Sequence, residues 1–187
     1  MADIFQIIIY SALFGITMKI ADLLDEHGLR LFKGASLLFG LSWGFFGLLL
    51  IMSDAFIASL ILATVIGFLV RMKLDYQNHA MAAAIIIIGF LLFQPLIPLV
   101  FFPFFLIFIS LGTLRDTVRY RSNGKKNLFN ILRRKFSWLI YYDSFYYIPL
   151  VFLFSFFTSI WPIFYFAFTN SIFYNMVKFL GKKYGYK

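Results

Sequence analysis

Between Lys33 and Arg71 the chain reads KGASLLFGLSWGFFGLLLIMSDAFIASLILATVIGFLVR. The 37 residues between these two basic side chains carry no positive charge, and Ser53-Asp54 interrupts the apolar run near its middle. A helix rises about 1.5 Å per residue, so about 20 apolar residues cross the hydrocarbon core of a bilayer. The stretch therefore predicts two membrane-spanning helices joined by a tight turn at Ser53-Asp54.

Two further stretches repeat this pattern. Between Lys73 and Arg115 lie 41 residues without a basic side chain, and Gln94–Pro98 at their middle contains two prolines that would break a helix. Between Lys135 and Lys178 lie 42 such residues, with Thr158-Ser159 near the middle and Pro162 placed to start the next helix. We expect a hairpin of two helices in each stretch.

The overall composition agrees with a membrane protein. Hydrophobic residues make up 62% of the chain and charged residues 13%, against about 25% charged residues in soluble domains. The net charge of +9 comes from short loops between apolar spans, which excludes a soluble basic surface for nucleic acid. Cysteine is absent from the sequence, which excludes disulfides and thiolate chemistry. We predict one integral membrane domain over residues 1–187, with the lipid bilayer as its surroundings.

The basic residues fall into four clusters, and these define the predicted topology. Three clusters belong to loops at about 19–34, 71–79 and 115–137, and the fourth is the C-terminal tail 178–187. Because basic loops stay on the cytosolic side, all four are predicted to be cytosolic. With residues 1–18 as a further crossing, the prediction is an all-α bundle of about seven transmembrane helices. Its N-terminus is outside and its C-terminus inside, in a prokaryotic plasma membrane; six spans result if residues 1–18 lie in the interface.

The first cytosolic cluster combines acidic residues with a lysine. Asp22, Asp25 and Glu26 follow Lys19 at spacings that bring them to neighbouring positions on one side of a helix. Mg²⁺ binds one or two carboxylates and keeps positions open for phosphate oxygens. The sequence thus indicates a metal or phosphate site; the alternative is a helix end with a local Lys19–Asp22 pair, capped by Gly28.

The second cluster is short and almost entirely polar. Arg71 and Lys73, with Asn78 beside them, have the groups to bind a diphosphate, and His79 or Asp75 has the group for proton transfer or metal binding. The alternative is that His79 is an ordinary cap or surface residue. A substrate-binding loop with a catalytic histidine is the functional prediction for this connection.

The third cluster contains one acid among arginines. Asp116 stands beside Arg115 and three residues before Arg119, so a helix would bring the three together as half of a site, or as a solvated helix end. Asp143 is separate, because it lies about six residues into the predicted sixth span. An acid at such depth is a functional candidate.

Gly40 and Gly44 form a spacing of small residues in the second predicted span. Small residues at this spacing let a neighbouring helix approach closely. We expect the neighbour to be another helix of the same chain; a dimer interface is the alternative.

The order of the polar loops resembles the UbiA-type intramembrane prenyltransferases over residues 1–125. The motif Asp22-x-x-Asp25-Glu26 precedes four spans, Arg71 and Lys73 fall after two of them, and Arg115-Asp116 follows the fourth. The resemblance implies a helical bundle in which two acidic motifs face each other at the cytosolic surface. There they would bind Mg²⁺ and a prenyl diphosphate.

The leading functional hypothesis is therefore Mg²⁺-assisted transfer or binding of a prenyl or other lipid-linked phosphate. Its catalytic and metal-binding candidates are acids and one histidine, namely Asp22, Asp25, Glu26, Asp116 and His79. Its substrate-binding candidates are Arg71, Lys73, Asn78, Arg115 and Arg119. The alternatives are a small ion or proton transporter lined by Asp143, Asp22 and His79, and a non-catalytic membrane scaffold.

Overall fold

The computed structural model describes residues 3–25, 28–74, 76–120 and 147–183, and the side chains of 116–120 and 182 fall outside that description. Within these ranges the fold is all-α, with seven helices and no strand. The helices are α1 (Ile4–Asp25), α2 (Ala35–Ser53), α3 (Ala55–Val70), α4 (Gln77–Phe93), α5 (Pro98–Tyr120), α6 (Ile148–Thr158) and α7 (Trp161–Lys183). The predicted all-α class is confirmed.

The tight turn predicted at Ser53-Asp54 is confirmed. Asp54 alone separates α2 from α3, and its backbone is extended. Its Oδ1 accepts hydrogen bonds from the backbone N–H groups of Phe56 at 2.9 Å and Ile57 at 3.0 Å. These are the free donors of the first turn of α3, so Asp54 is the N-cap of that helix.

The other two predicted turns are also confirmed. Helix α4 ends at Phe93 and α5 begins at Pro98, so the prolines stand where one helix stops and the next starts. Helix α6 ends at Thr158 and α7 begins at Trp161, with Pro162 in its first turn. The three turns thus lie where the interruptions in the apolar runs indicated.

Three pairs of helices pack side by side in the same direction: α1 with α7, α2 with α4, and α3 with α5. In each pair, the residue numbers of successive contacts rise together on both helices. For α1 and α7 the contacts are Gly15–Asn170 and Lys19–Tyr174. For α2 and α4 they are Gly40–Asn78 and Gly44–Ala82, and for α3 and α5 they are Gly67–Phe108 and Arg71–Gly112. Parallel packing of alternate helices is what a chain that runs up and down a bundle produces.

This packing brings the C-terminal ends of α1, α3, α5 and α7 together with the N-terminal ends of α2 and α4. A hydrogen bond of 2.7 Å from Ser36 Oγ to Asp25 Oδ2 joins the end of α1 to the start of α2. Every lysine and arginine in the described ranges lies in these helix ends or their connections. We call this the basic end; Asp54 and the turn before Pro98 lie at the opposite end.

Three helices of the described residues are long and apolar enough to cross a membrane: Ile4–Asp25, Ala35–Ser53 and Pro98–Arg115. Three more are apolar but shorter, Ala55–Val70, Gln77–Phe93 and Ile148–Thr158. Large apolar side chains such as Phe5, Leu91 and Phe157 are exposed to their surroundings. These features support the predicted membrane environment.

The glycines of α2 allow the close approach that their spacing predicted. A Cβ atom placed on Gly40 would lie 2.7 Å from Cβ of Asn78, and one on Gly44 would lie 3.1 Å from Cα of Ala82. Gly40 therefore has no room for a side chain, because the backbone of α4 occupies the space, and Gly44 makes a tight contact with the same helix. The neighbour is a helix of the same chain, as expected.

Candidate functional site

Four polar side chains from three helices meet at the basic end. Lys19 and Asp22 come from α1, His79 from α4 and Tyr174 from α7. Oδ2 of Asp22 accepts hydrogen bonds from Lys19 Nζ at 3.2 Å and from the Tyr174 hydroxyl at 2.7 Å. Its Oδ1 lies 3.0 Å from His79 Nε2, and Lys19 Nζ also donates to the Tyr174 oxygen at 3.2 Å. We call these four residues the Asp22 cluster.

The Asp22 cluster is buried although it contains opposite charges. The exposed fractions are 3% for Lys19, 7% for Asp22, 6% for His79 and 8% for Tyr174. Removing a carboxylate and an ammonium from water costs several kcal/mol per ion unless they pair and their remaining hydrogen-bonding positions are filled. The cluster satisfies both conditions, since each oxygen of Asp22 has a partner.

Helix geometry explains how the four residues meet. Lys19 and Asp22 are three residues apart, which places them on the same face of α1. His79 is in the first turn of α4, at the same end of the bundle. Tyr174 reaches the cluster because α7 runs parallel to α1, and its ring also lies under Lys19, with Nζ 4.8 Å from the ring centroid.

Asn78 fixes the position of His79 relative to α1. Its Nδ2 donates to the backbone oxygen of Ala21 at 3.2 Å, and its Oδ1 accepts from the backbone N–H of His79 at 2.7 Å. The side chain is 1% exposed and packs on Gly40. Asn78 thus has a positioning role in the structure, and its predicted substrate-binding role stays a prediction.

Aromatic rings enclose the imidazole of His79. The ring of Trp43 stands edge-on to it at a centroid distance of 5.6 Å, and that of Tyr76 at 5.7 Å. Trp43 is itself buried. The imidazole is therefore held in one orientation, with Nε2 directed at Asp22.

The other predicted site residues do not all join this cluster. Oδ2 of Asp25 accepts from Ser36 on α2, although Asp25 is only three residues after Asp22. Nη2 of Arg71 donates a hydrogen bond to the backbone oxygen of Gly112 on α5 at 3.2 Å. The contact of Asp22 with His79 thus joins the first polar connection to the second, and the contact of Arg71 with Gly112 joins the second to the third.

The structure describes the side chains of only some of the remaining predicted residues. Lys73 and Arg115 lie at the basic end, each with part of its side chain exposed. Asp116 and Arg119 belong to the last turns of α5, but their side chains lie outside the description. Glu26, Asp75 and Asp143 lie outside the described residues, as does most of the predicted loop 115–137.

The predicted Mg²⁺ site at Asp22, Asp25 and Glu26 stays a prediction, because Glu26 lies outside the described residues. Both carboxylate oxygens of Asp22 are engaged by Lys19, Tyr174 and His79, and the ammonium of Lys19, 3.2 Å away, would repel a second cation. In the described ranges, no three acidic or histidine side chains come close enough to hold a metal ion. The hydrogen bonds of Asp22 with Lys19, Tyr174 and His79 join groups that can each bind and release a proton.

Sequence reasoning missed Tyr174. Tyr174 is 152 positions after Asp22 in the chain, and no local motif connects them. The signal that was present is a polar stripe on an otherwise apolar helix, formed by Asn170, Ser171, Tyr174 and Asn175. Such a stripe faces the inside of a bundle because polar groups are costly against lipid.

Comparison with known proteins gives no match to a family model, a curated protein or a solved structure. The resemblance of the polar loops to the UbiA-type prenyltransferases accordingly stays a prediction.

Proposed function

We propose that this chain is a proton-translocating protein of the prokaryotic plasma membrane, with about seven spans, its N-terminus outside and its basic end in the cytosol. The apolar helices and the grouping of lysines and arginines at one end of the bundle support this orientation, because basic loops are retained on the cytosolic side. The orientation places the Asp22 cluster near the cytosolic surface.

The observation that carries the proposal is a continuous series of hydrogen bonds through buried ionisable groups. Lys19 Nζ donates to the Tyr174 oxygen, and the Tyr174 hydroxyl donates to Oδ2 of Asp22. Oδ1 of Asp22 lies within hydrogen-bond distance of His79 Nε2. Ionisable groups inside a membrane bundle mark proton or ion pathways more often than other features, since they are expensive to bury.

In the proposed mechanism a proton arriving from the membrane interior enters the cluster at Tyr174. The phenol oxygen receives this proton while the hydroxyl proton passes to Oδ2 of Asp22. Asp22 then releases that proton from Oδ2 toward the cytosol, while Nε2–H of His79 donates to Oδ1 throughout and keeps the carboxylate in place. Tyr174 gains one proton as it loses one, and Asp22 binds and releases one proton at Oδ2, so each group returns to its starting state after one passage.

Proton binding at Asp22 also changes what holds the helices together. The carboxylate joins α1 to α4 and α7 through charge-assisted hydrogen bonds, which are about twice as strong as neutral ones. A protonated Asp22 loses the attraction to Lys19 and weakens the other two contacts. Protonation would thus loosen α1 from its neighbours, which gives the cluster a means to couple proton passage to helix movement.

The test is proton flux into liposomes that contain the purified protein. A potassium gradient with valinomycin provides the driving force, and trapped pyranine reports the internal pH. We expect flux above that of empty liposomes, and a decrease of at least about tenfold in Asp22→Asn and His79→Phe, since the first removes the proton-accepting carboxylate and the second removes the hydrogen bond that positions it.

Asp54→Asn is the matched control, because asparagine keeps the N-cap at the opposite end of the bundle. It should conduct like the unmodified protein. Flux equal to that of empty liposomes, or flux unchanged in both cluster variants, would overturn the proposed function.

Binding of a prenyl or other lipid-linked phosphate is the second candidate. The observation in its favour is that Arg71 lies against Gly112, which brings the second and third polar connections together at the basic end. Native mass spectrometry of the detergent-extracted protein tests it by looking for a retained lipid phosphate. Loss of that lipid in Asp22→Asn/Asp25→Asn would favour this candidate, and its retention would count against it.

A further inference from the structure

Asn170 lies near the middle of α7, one helical turn before Tyr174. Its side chain is 7% exposed, and in the described ranges its Oδ1 is buried without a hydrogen-bond partner. Leaving a buried amide oxygen unpaired costs about 1–3 kcal/mol, and native proteins rarely accept that cost without a reason.

The unpaired oxygen faces the backbone of α1. A Cβ atom placed on Gly15 would lie 2.7 Å from Oδ1 of Asn170, so the oxygen lies where any other residue at position 15 would have its side chain. Gly15 is one turn before Lys19, just as Asn170 is one turn before Tyr174. The Gly15–Asn170 contact therefore lies one turn, about 5.4 Å, deeper in the bundle than the Asp22 cluster.

We infer that Asn170 Oδ1 is the binding position for a water molecule that delivers protons from the membrane interior to Tyr174. The inference deepens the proposed function and rests on it for the transport step. Two hydrogen bonds of about 2.8 Å add up to about the rise of one helical turn, so one water has the right size to join an amide oxygen and a phenol oxygen whose residues are one turn apart. The water gives its extra proton to the phenol oxygen, as the phenol passes its own to Asp22.

The competing explanation is that Oδ1 makes only a weak contact with the Cα–H group of Gly15, as occurs where helices pack closely. In that case Asn170 would be a packing residue in a dry interface. The two explanations differ in whether water reaches the amide group and in whether proton flux needs it.

Water-edited solid-state NMR of the ¹⁵N-labelled protein in lipid bilayers tests the first difference without any activity. We expect rapid polarisation transfer from water to the Asn170 amide, whose signal is assigned from its loss in Asn170→Leu. Asn78 is the internal control, because both ends of its side chain are bonded to protein. An Asn170 signal as slow as that of Asn78 would overturn the inference.

Proton flux in liposomes tests the second difference. Asn170→Leu keeps the size of the side chain and should lower flux at least about tenfold, the effect of raising a barrier by one hydrogen bond. Thr17→Val is the control, since Thr17 bonds only within its own helix, to the carbonyl oxygens of Leu13 and Phe14.

The outcomes separate the inference from the proposed function. A conducting protein whose flux is unchanged in Asn170→Leu overturns the role of Asn170 and leaves the Asp22 cluster in place. A hydrated Asn170 in a protein that moves no protons overturns the proposed function, and with it the transport role of the water.

Discussion

Nε2 of His79 lies 3.0 Å from Oδ1 of Asp22, although the two residues are 57 positions apart and belong to different helices. The contact joins the end of α1 to the start of α4. Asp22 also carries the bonds from Lys19 and Tyr174, so the loss of this one carboxylate would affect three helices at once.

Removing the carboxylate alone should cost more free energy of unfolding than removing both charges. Asp22→Leu leaves the ammonium of Lys19 buried without its counter-ion, and breaking a buried pair costs about 3–5 kcal/mol. Lys19→Met/Asp22→Leu removes both charges and should recover most of that loss. Unfolding in mixed detergent micelles, followed by circular dichroism, measures both variants; equal losses would show that the pair does not determine stability.

The imidazole of His79 should carry a hydrogen on Nε2. The carboxylate of Asp22 can only accept a hydrogen bond when ionised, so Nε2 must donate at 3.0 Å. The ¹⁵N chemical shifts of ring-labelled histidine distinguish a protonated nitrogen from an unprotonated one. Asp22→Asn should change the Nε2 shift of His79. A ring that is neutral with its hydrogen on Nδ1 would contradict the assignment.

Gly40 should tolerate substitution poorly because of what lies against it. In Gly40→Ala the new methyl group would stand 2.7 Å from Cβ and 2.8 Å from Cα of Asn78, so α2 and α4 must separate. We expect a loss of about 1–3 kcal/mol in the free energy of unfolding. The separation should also weaken the contact of His79 with Asp22, visible in the histidine ¹⁵N shifts.

Gly67→Ala is the matched control for this substitution. A Cβ atom there meets only Cβ of Phe108, at 3.3 Å, which a shift of a few tenths of an ångström relieves. The control should unfold close to the unmodified protein. An equal loss in both variants would mean that the fit of Asn78 on Gly40 has no special role.

The positions of the turns could be predicted from sequence because each depends on local chemistry. Asp54 interrupts an apolar run and caps the helix that follows it, and Pro98 and Pro162 stand in first turns. The spacing of Gly40 and Gly44 likewise indicated a close helix contact, which the structure contains. Helix caps, first-turn prolines and glycine spacings each involve only a few consecutive residues, so they can be recognised without knowledge of the fold.

The composition of the site could be predicted only in part, because it depends on which helices pack together. Asp22 and His79 were singled out, but the pairing that brings Tyr174 to them follows from the parallel packing of α1 and α7. Nothing in the spacing of Asp22 and Asp25 shows that one faces His79 and the other Ser36. Two residues close together on one helix contact different partners when different helices pack against their positions.

Cysteine accessibility should establish the orientation of the bundle, and the sequence suits this test because it contains no cysteine. Leu96→Cys introduces a thiol in the exposed turn before α5, and Leu31→Cys introduces one between α1 and α2 at the basic end. In intact cells a membrane-impermeant maleimide should label Leu96→Cys, whereas Leu31→Cys should react only after permeabilisation, because the basic end is predicted to be cytosolic. Phe5→Cys, near the start of α1, should behave like Leu96→Cys. Labelling of Leu31→Cys from outside would reverse the orientation, and protection of Phe5→Cys would remove the first crossing and leave six spans.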